Sequence, residues 1–104
     1  MEKIAFRMKL RPGAEDEYRR RHDAIWPEML AMLREAGVAD YSIFLDRETD
    51  TLFAVLRRRA DHTMDELALN PIEQRWNDHM ADLLEVNPDR SAKMTDLVCV
   101  FHMD

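Results

Sequence analysis

Three features of the chain predict an α+β fold of the ferredoxin-like, split βαβ kind. The first is the order of hydropathy patterns: strand, helix, strand, strand, helix, strand. The second is the polar run Asp46-Arg47-Glu48-Thr49-Asp50 between two apolar runs, which makes the middle strands a hairpin. The third is length. The 104 residues suit one domain with one core, spanning residues 1–104.

Ile4, Phe6, Met8 and Leu10 alternate with Lys3, Ala5, Arg7 and Lys9, the pattern of a half-buried strand. Arg11-Pro12-Gly13 is a turn signal. A helix is expected from about Ala14 to Ala36. Pro27 lacks a backbone donor and pushes Trp26 out of the helical region, so the helix should kink or break there. Gly37 is a natural stop. Tyr41–Leu45 and Leu52–Leu56 form the hairpin strands. Asp61 is expected to cap a short helix carrying Met64, Leu67 and Ala68. Asn70 then caps a second helix, with Pro71 at its first position and Glu73 at the capping-box position. Ile72, Trp76, Met80, Leu83 and Leu84 are its apolar stripe. Val86 to Ser91 reads as a loop and Leu97 to Met103 as the last strand. Right-handed crossovers are expected to join the parallel strands.

The second, third and fourth strands carry apolar residues on both faces: Phe44 opposes Ile43 and Leu45, and Phe53 and Val55 oppose Leu52, Ala54 and Leu56. Two helices cover only one face of a sheet. The other face is expected to meet a second copy, giving a homodimer packed sheet to sheet about a two-fold axis.

Composition excludes several functions. Net charge is −6 with both signs mixed, which argues against nucleic acid as a partner. No run of 18 apolar residues exists to span a membrane. The N-terminal residues read as a strand and not as a signal peptide. Cys99 is the only cysteine, so no internal disulfide or cysteine-based zinc site forms. Its apolar surroundings make it a small buried hydrophobe, and a cytoplasmic location fits.

The candidate site begins with Tyr18 and His22, four residues apart on one helical face that continues through Ile25, Met29 and Leu33. A lone histidine on such a face is ordinarily a hydrogen-bonded core residue. Tyr41, which opens the second strand, and the Trp76 indole are further polar groups on half-buried faces. One pocket can collect all four. Aromatic walls with hydroxyl, indole and imidazole groups suit a neutral polyhydroxylated ligand such as a sugar. Phosphate fits poorly, because neither of the two glycines lies in a phosphate-cradling motif. His62 is expected to be exposed, and His79 to be structural although near the Trp76 wall. No histidine pair has convincing metal-ligand spacing, so neither a metal nor another cofactor is expected.

The segment Tyr18-Arg19-Arg20-Arg21-His22-Asp23-Ala24-Ile25-Trp26-Pro27-Glu28 resembles the signature of L-rhamnose mutarotases. Tyr41-Ser42-Ile43-Phe44-Leu45-Asp46, Gln74-Arg75-Trp76, and Asn87-Pro88-Asp89 followed by Val100-Phe101 extend the resemblance over nearly the whole chain. It implies a dimeric α/β-barrel that interconverts the α and β anomers of L-rhamnose without a cofactor. His22 matches the family's proton donor, and Tyr18, Tyr41 and Trp76 match sugar contacts. The next position is often a second tryptophan and here is Asn77, which leaves two alternatives: Asn77 hydrogen-bonds a hydroxyl, or another residue supplies the apolar contact. Two rivals use similar materials: a dimeric-barrel monooxygenase, by fold analogy, and a non-catalytic sugar-binding module.

Overall fold

The first strand, β1 (Glu2–Lys9), keeps its alternation: Phe6 and Met8 are buried while Arg7 is exposed. This is a computed structural model, and it describes residues 1–104. After a turn at Gly13, the expected long helix is two, α1 (Glu15–Asp23) and α2 (Pro27–Glu35). The cause is the one foreseen. Trp26, before Pro27, is extended with φ −63° and ψ 135°. The break falls directly after His22. Acidic Glu15, Asp16 and Glu17 open α1, and basic Arg20, Arg21 and His22 close it, in the sense favoured by the helix dipole.

Gly37 ends α2 with φ 93°, and a Cβ there would lie 3.2 Å from His62 Cα, so only glycine fits without strain. β2 (Val38–Asp46) starts three residues before Tyr41. β3 (Thr51–Arg58) completes the hairpin, whose loop is held by Asp46: its carboxylate accepts from the Glu48 N–H and the Thr49 hydroxyl. A 3₁₀ segment (Met64–Leu69) leads to α3 (Pro71–Met80), and β4 spans Thr95–Leu97.

The sheet order is β2-β3-β1-β4, with every adjacent pair antiparallel. Strands β1 and β2 run parallel but are separated by β3, and β3 and β4 are separated by β1. This is the split βαβ arrangement of an α+β, ferredoxin-like fold. The core lies between the helices and one sheet face. Leu52, Ala54 and Leu56 of β3 meet Phe6, Met8 and Leu10, with Met29 and Met32 from α2 and Trp76 and Met80 from α3. Leu10 and Leu56 are its most enclosed large side chains, and Leu56→Ala is expected to cost about 2–5 kcal/mol. The opposite face carries Phe44 paired with Phe53 and Ser42 paired with Val55. Phe44 is 62% exposed there.

Five expectations need correction. Asp61 caps nothing; its carboxylate pairs with Arg59, and the Met64 N–H instead donates to His62 Nδ1 at 3.2 Å. His62 is correspondingly half-buried, not exposed. Asn70 does cap α3, accepting from the Ile72 N–H at 2.9 Å, but Glu73 does not return the bond. The Asn70 N–H is already committed to the Leu67 carbonyl, which ends the 3₁₀ segment. The last strand is only three residues long. Its register sets Leu97 opposite Ala5, and beyond that Val98–Asp104 leaves β1 and runs exposed. Cys99 is therefore exposed as well. Strand composition specifies an extended segment but not which edge it joins.

Candidate active site

His22 closes α1, and its ring is fixed from both sides. The Tyr18 ring lies 4.3 Å away, tilted by 33°, and the Trp76 ring stands at 5.4 Å, nearly perpendicular. Nδ1 lies 3.0 Å from the Tyr18 carbonyl oxygen. A carbonyl only accepts, so Nδ1 carries the proton, and in the neutral ring Nε2 holds a lone pair.

The helix that carries Trp76 is tied to the helix that carries His22. Arg21 donates through Nη1 to the His79 carbonyl at 2.6 Å and to Asp82 Oδ1 at 2.7 Å, and through Nε to Glu17 Oε2 at 2.9 Å. Glu17, beside Arg20 and Arg21, is held down to about 2. Behind Trp76 stands Trp26, edge to face at 5.1 Å, placed there by the break before Pro27. His79 lies 5.5 Å from both indoles, exposed, and Arg75 covers the outer face of Trp26. Trp76 is thus the tryptophan on the cleft wall, with Trp26 packed behind it, and Asn77 lines the cleft beside it.

Tyr41 arrives from the sheet. One extra residue of β2 bulges between Ala39 and Ser42, where Asp40 has φ 49°. A bulge re-aims the side chains beside it. The Tyr41 ring meets Phe6 edge-on at 6.5 Å on the helix-covered side of the sheet.

These side chains line one cleft of about 1290 Å³ between the helices and the sheet, with Tyr18, His22, Tyr41, Glu73, Trp76 and Asn77 all on its walls. The sequence-predicted residues therefore do converge. The cleft exceeds the roughly 300–1,000 Å³ of most small-molecule sites and is open. Burial lowers the His22 pKa below its ordinary value, opposed in part by the Tyr18 carbonyl bond and by Asp23. At neutral pH the imidazole is uncharged. Burial pushes the Tyr18 phenol up, with Tyr41 adding to the rise. Tyr41 sits at the rim, 39% exposed, yet packing around its ring pushes its phenol up to about 12, with Glu73 contributing. Both phenols are hydrogen-bond donors throughout the physiological range.

Three contributors escape sequence reasoning. Arg21 is one of three consecutive arginines, and only the packed helices single it out. Trp26 was legible as the residue that Pro27 displaces, but not as the support packed behind Trp76. Glu73 reads locally as a capping residue, yet burial raises its pKa and one carboxylate oxygen has no partner. Its spacing, three before Trp76 and four before Asn77, was the available signal.

Fold and site together define a class: a small α+β enzyme equipped for proton transfer and for holding a neutral hydroxylated ligand on aromatic walls. The family model described as L-rhamnose mutarotase matches residues 3–103, and the chain belongs to that family of anomer-interconverting isomerases. An L-rhamnose mutarotase of Rhizobium johnstonii is 57% identical over 99% of this chain and 97% of its own length. One from Jannaschia is 57% identical over 99% of both chains. The crystal structure of an L-rhamnose mutarotase from Formosa agariphila covers all of both chains at 45% identity with a TM-score of 0.93. A Mycobacterium tuberculosis protein, 20% identical with a TM-score of 0.59, shares the fold alone.

Proposed function

We propose that this chain interconverts the α and β anomers of L-rhamnopyranose, with His22 moving the proton and Tyr18, Tyr41, Trp76 and Asn77 holding the sugar. The observation that carries the reading is the 3.0 Å bond from His22 Nδ1 to the Tyr18 carbonyl, which leaves Nε2 as the basic nitrogen of a neutral ring. Nε2 takes the proton of the anomeric hydroxyl. The C1–O5 bond breaks, C1 becomes an aldehyde, and the ring oxygen receives a proton as the alcohol of the open chain. Rotation about C1–C2 presents the other aldehyde face. O5 attacks C1, the new C1 oxygen is protonated and O5 loses its proton, so no net proton is consumed. An imidazole takes up and returns a proton near neutrality. Anomers already exchange in water, so an acceleration of roughly 10²–10⁴-fold from acid–base help is sufficient. These transfers require no cofactor.

The same reading includes a homodimer. The helix-free face bearing Phe44, Phe53 and Val55 and the exposed segment Val98, Val100 and Phe101 are apolar surfaces that a second copy of this chain would cover. A cleft wider than its ligand fits a site whose outer wall comes from that copy. No helix is long and apolar enough to cross a membrane. A cytoplasmic location is part of the proposal, supported by a single free cysteine.

The test is saturation exchange between the two anomeric proton signals of L-rhamnose by NMR. Transfer that grows with protein concentration is the expected result. Binding of L-rhamnose without faster exchange would reduce the chain to a sugar-binding module.

A further inference from the structure

We propose that Glu73 is a further sugar-contacting residue of this cleft, its Oε2 hydrogen-bonding a ring hydroxyl of the bound deoxyhexose beside Tyr41. The proposal rests on the reading that the cleft holds L-rhamnose, and it goes beyond that reading by naming a further contact on α3.

Glu73 is the one residue whose buried side-chain oxygen lacks any hydrogen-bond partner. Its neighbours on α3 are committed elsewhere: Gln74 Nε2 donates to the Ala68 carbonyl, and Arg75 lies over Trp26. No cation pairs with Glu73, and the backbone N–H that a capping-box glutamate would bind is held by Leu67. The side chain instead lines the same cleft as His22, Tyr41 and Trp76. A buried polar atom without a partner is unfavourable in the folded chain, and structures rarely retain one. A ligand hydroxyl is a partner of the right chemistry. Burial raises the Glu73 pKa above its ordinary value. A carboxylate oxygen accepts from a ligand hydroxyl.

The experiment compares Glu73→Gln and Glu73→Met. Glutamine keeps a donor and an acceptor at nearly the same place. Methionine fills the volume and keeps neither. L-Rhamnose affinity is measured by NMR titration, exchange kinetics by saturation transfer, and stability by thermal melting. Loss of one hydrogen bond predicts a Kd and KM for Glu73→Met raised about tenfold, with kcat within about threefold of the parent. Glu73→Gln should stay within about threefold in all three. The melting temperature of Glu73→Met should be unchanged or higher, because an unpartnered polar group has been removed. Parental affinity in Glu73→Met overturns the proposal. So does a fall in melting temperature shared by both variants, which marks a structural role. If the parent chain binds L-rhamnose without accelerating exchange, the catalytic reading fails, and the Kd series alone still decides Glu73. If the parent chain does not bind L-rhamnose, both are overturned together.

Discussion

The Tyr18 carbonyl oxygen, one helical turn before His22, lies 3.0 Å from His22 Nδ1 and sets which ring nitrogen is basic. Helix geometry alone brings the two together, since a side chain at one position reaches the carbonyl four residues earlier. Burial then keeps the ring neutral. The consequence is a pH profile. A base with a lowered pKa is active when deprotonated, so kcat/KM should rise as pH increases through the His22 value, below 6.5, and level off by neutrality. Asp23 and the Tyr18 carbonyl pull the value back up, while the raised Tyr18 and Tyr41 phenols stay protonated across this range. The check is the anomer exchange rate between pH 4.5 and pH 8. A profile flat across the acid limb would remove His22 as the titrating base.

Replacing His22 itself separates chemistry from folding. His22→Ala should lower kcat by roughly 10²–10⁴-fold, the usual contribution of one acid–base group. Linkage predicts a second effect. The folded pKa is lowered, so between it and the ordinary value of 6.5 the unfolded chain binds more protons. Stability therefore falls as pH drops below 6.5, and this loss is complete once pH is below the folded pKa. His22→Ala should flatten that part of the curve, read as chemical-denaturation midpoints across pH. A variant with parental exchange rates would show that another group moves the proton.

What the sequence disclosed, and what it withheld, follows from the range of the interactions involved. Tyr18 and His22 were legible because their meeting is local, one turn apart on one helix. The break at Pro27 and the cap at Asn70 are equally local. Glu73 misled because two local rules compete for it. The capping-box spacing favours a bond back to Asn70, but that N–H closes the preceding short helix, whose existence the pattern showed but whose last bond it did not. Arg21 carries no mark among its neighbours, because its partners are the far end of α3 and Asp82. The final strand shows the limit most clearly. The apolar run from Leu97 to Met103 reports a preference for extended structure, while pairing is a property of the edge that receives it.

Trp76 joins packing to function, and its truncation should affect both. It is 8% exposed and touches His22, Trp26 and His79. Trp76→Ala should lower stability by about 3–5 kcal/mol, the usual cost of emptying an aromatic site in a core. The His22 ring loses its perpendicular neighbour at the same time, so exchange activity should fall even below the unfolding temperature. Trp76→Phe keeps most of the packing and removes the indole donor. It should melt close to the parent while showing weaker sugar affinity. Thermal melting and exchange kinetics on the two variants separate the contributions, and a Trp76→Phe variant with parental affinity would assign the indole to packing alone.

The helix-free sheet face gives the last prediction. Phe44 is 62% exposed and paired with Phe53, and Val98, Val100 and Phe101 are each at least 80% exposed in an extended segment without a ladder partner. Exposed apolar groups in two places on so short a chain are expected to be covered in solution. Sedimentation should therefore report a particle of twice the chain mass. Phe44→Glu places a charge on the proposed interface, where it would be buried without a partner. Removal of residues 98–104 takes away the extended segment. Each change should shift the particle toward a monomer at micromolar concentration. The two changes also test the wide cleft differently. If a second copy supplies the outer wall, sugar affinity should fall as the dimer dissociates and recover at higher protein concentration for Phe44→Glu. Affinity independent of concentration would mean that each chain closes its own site.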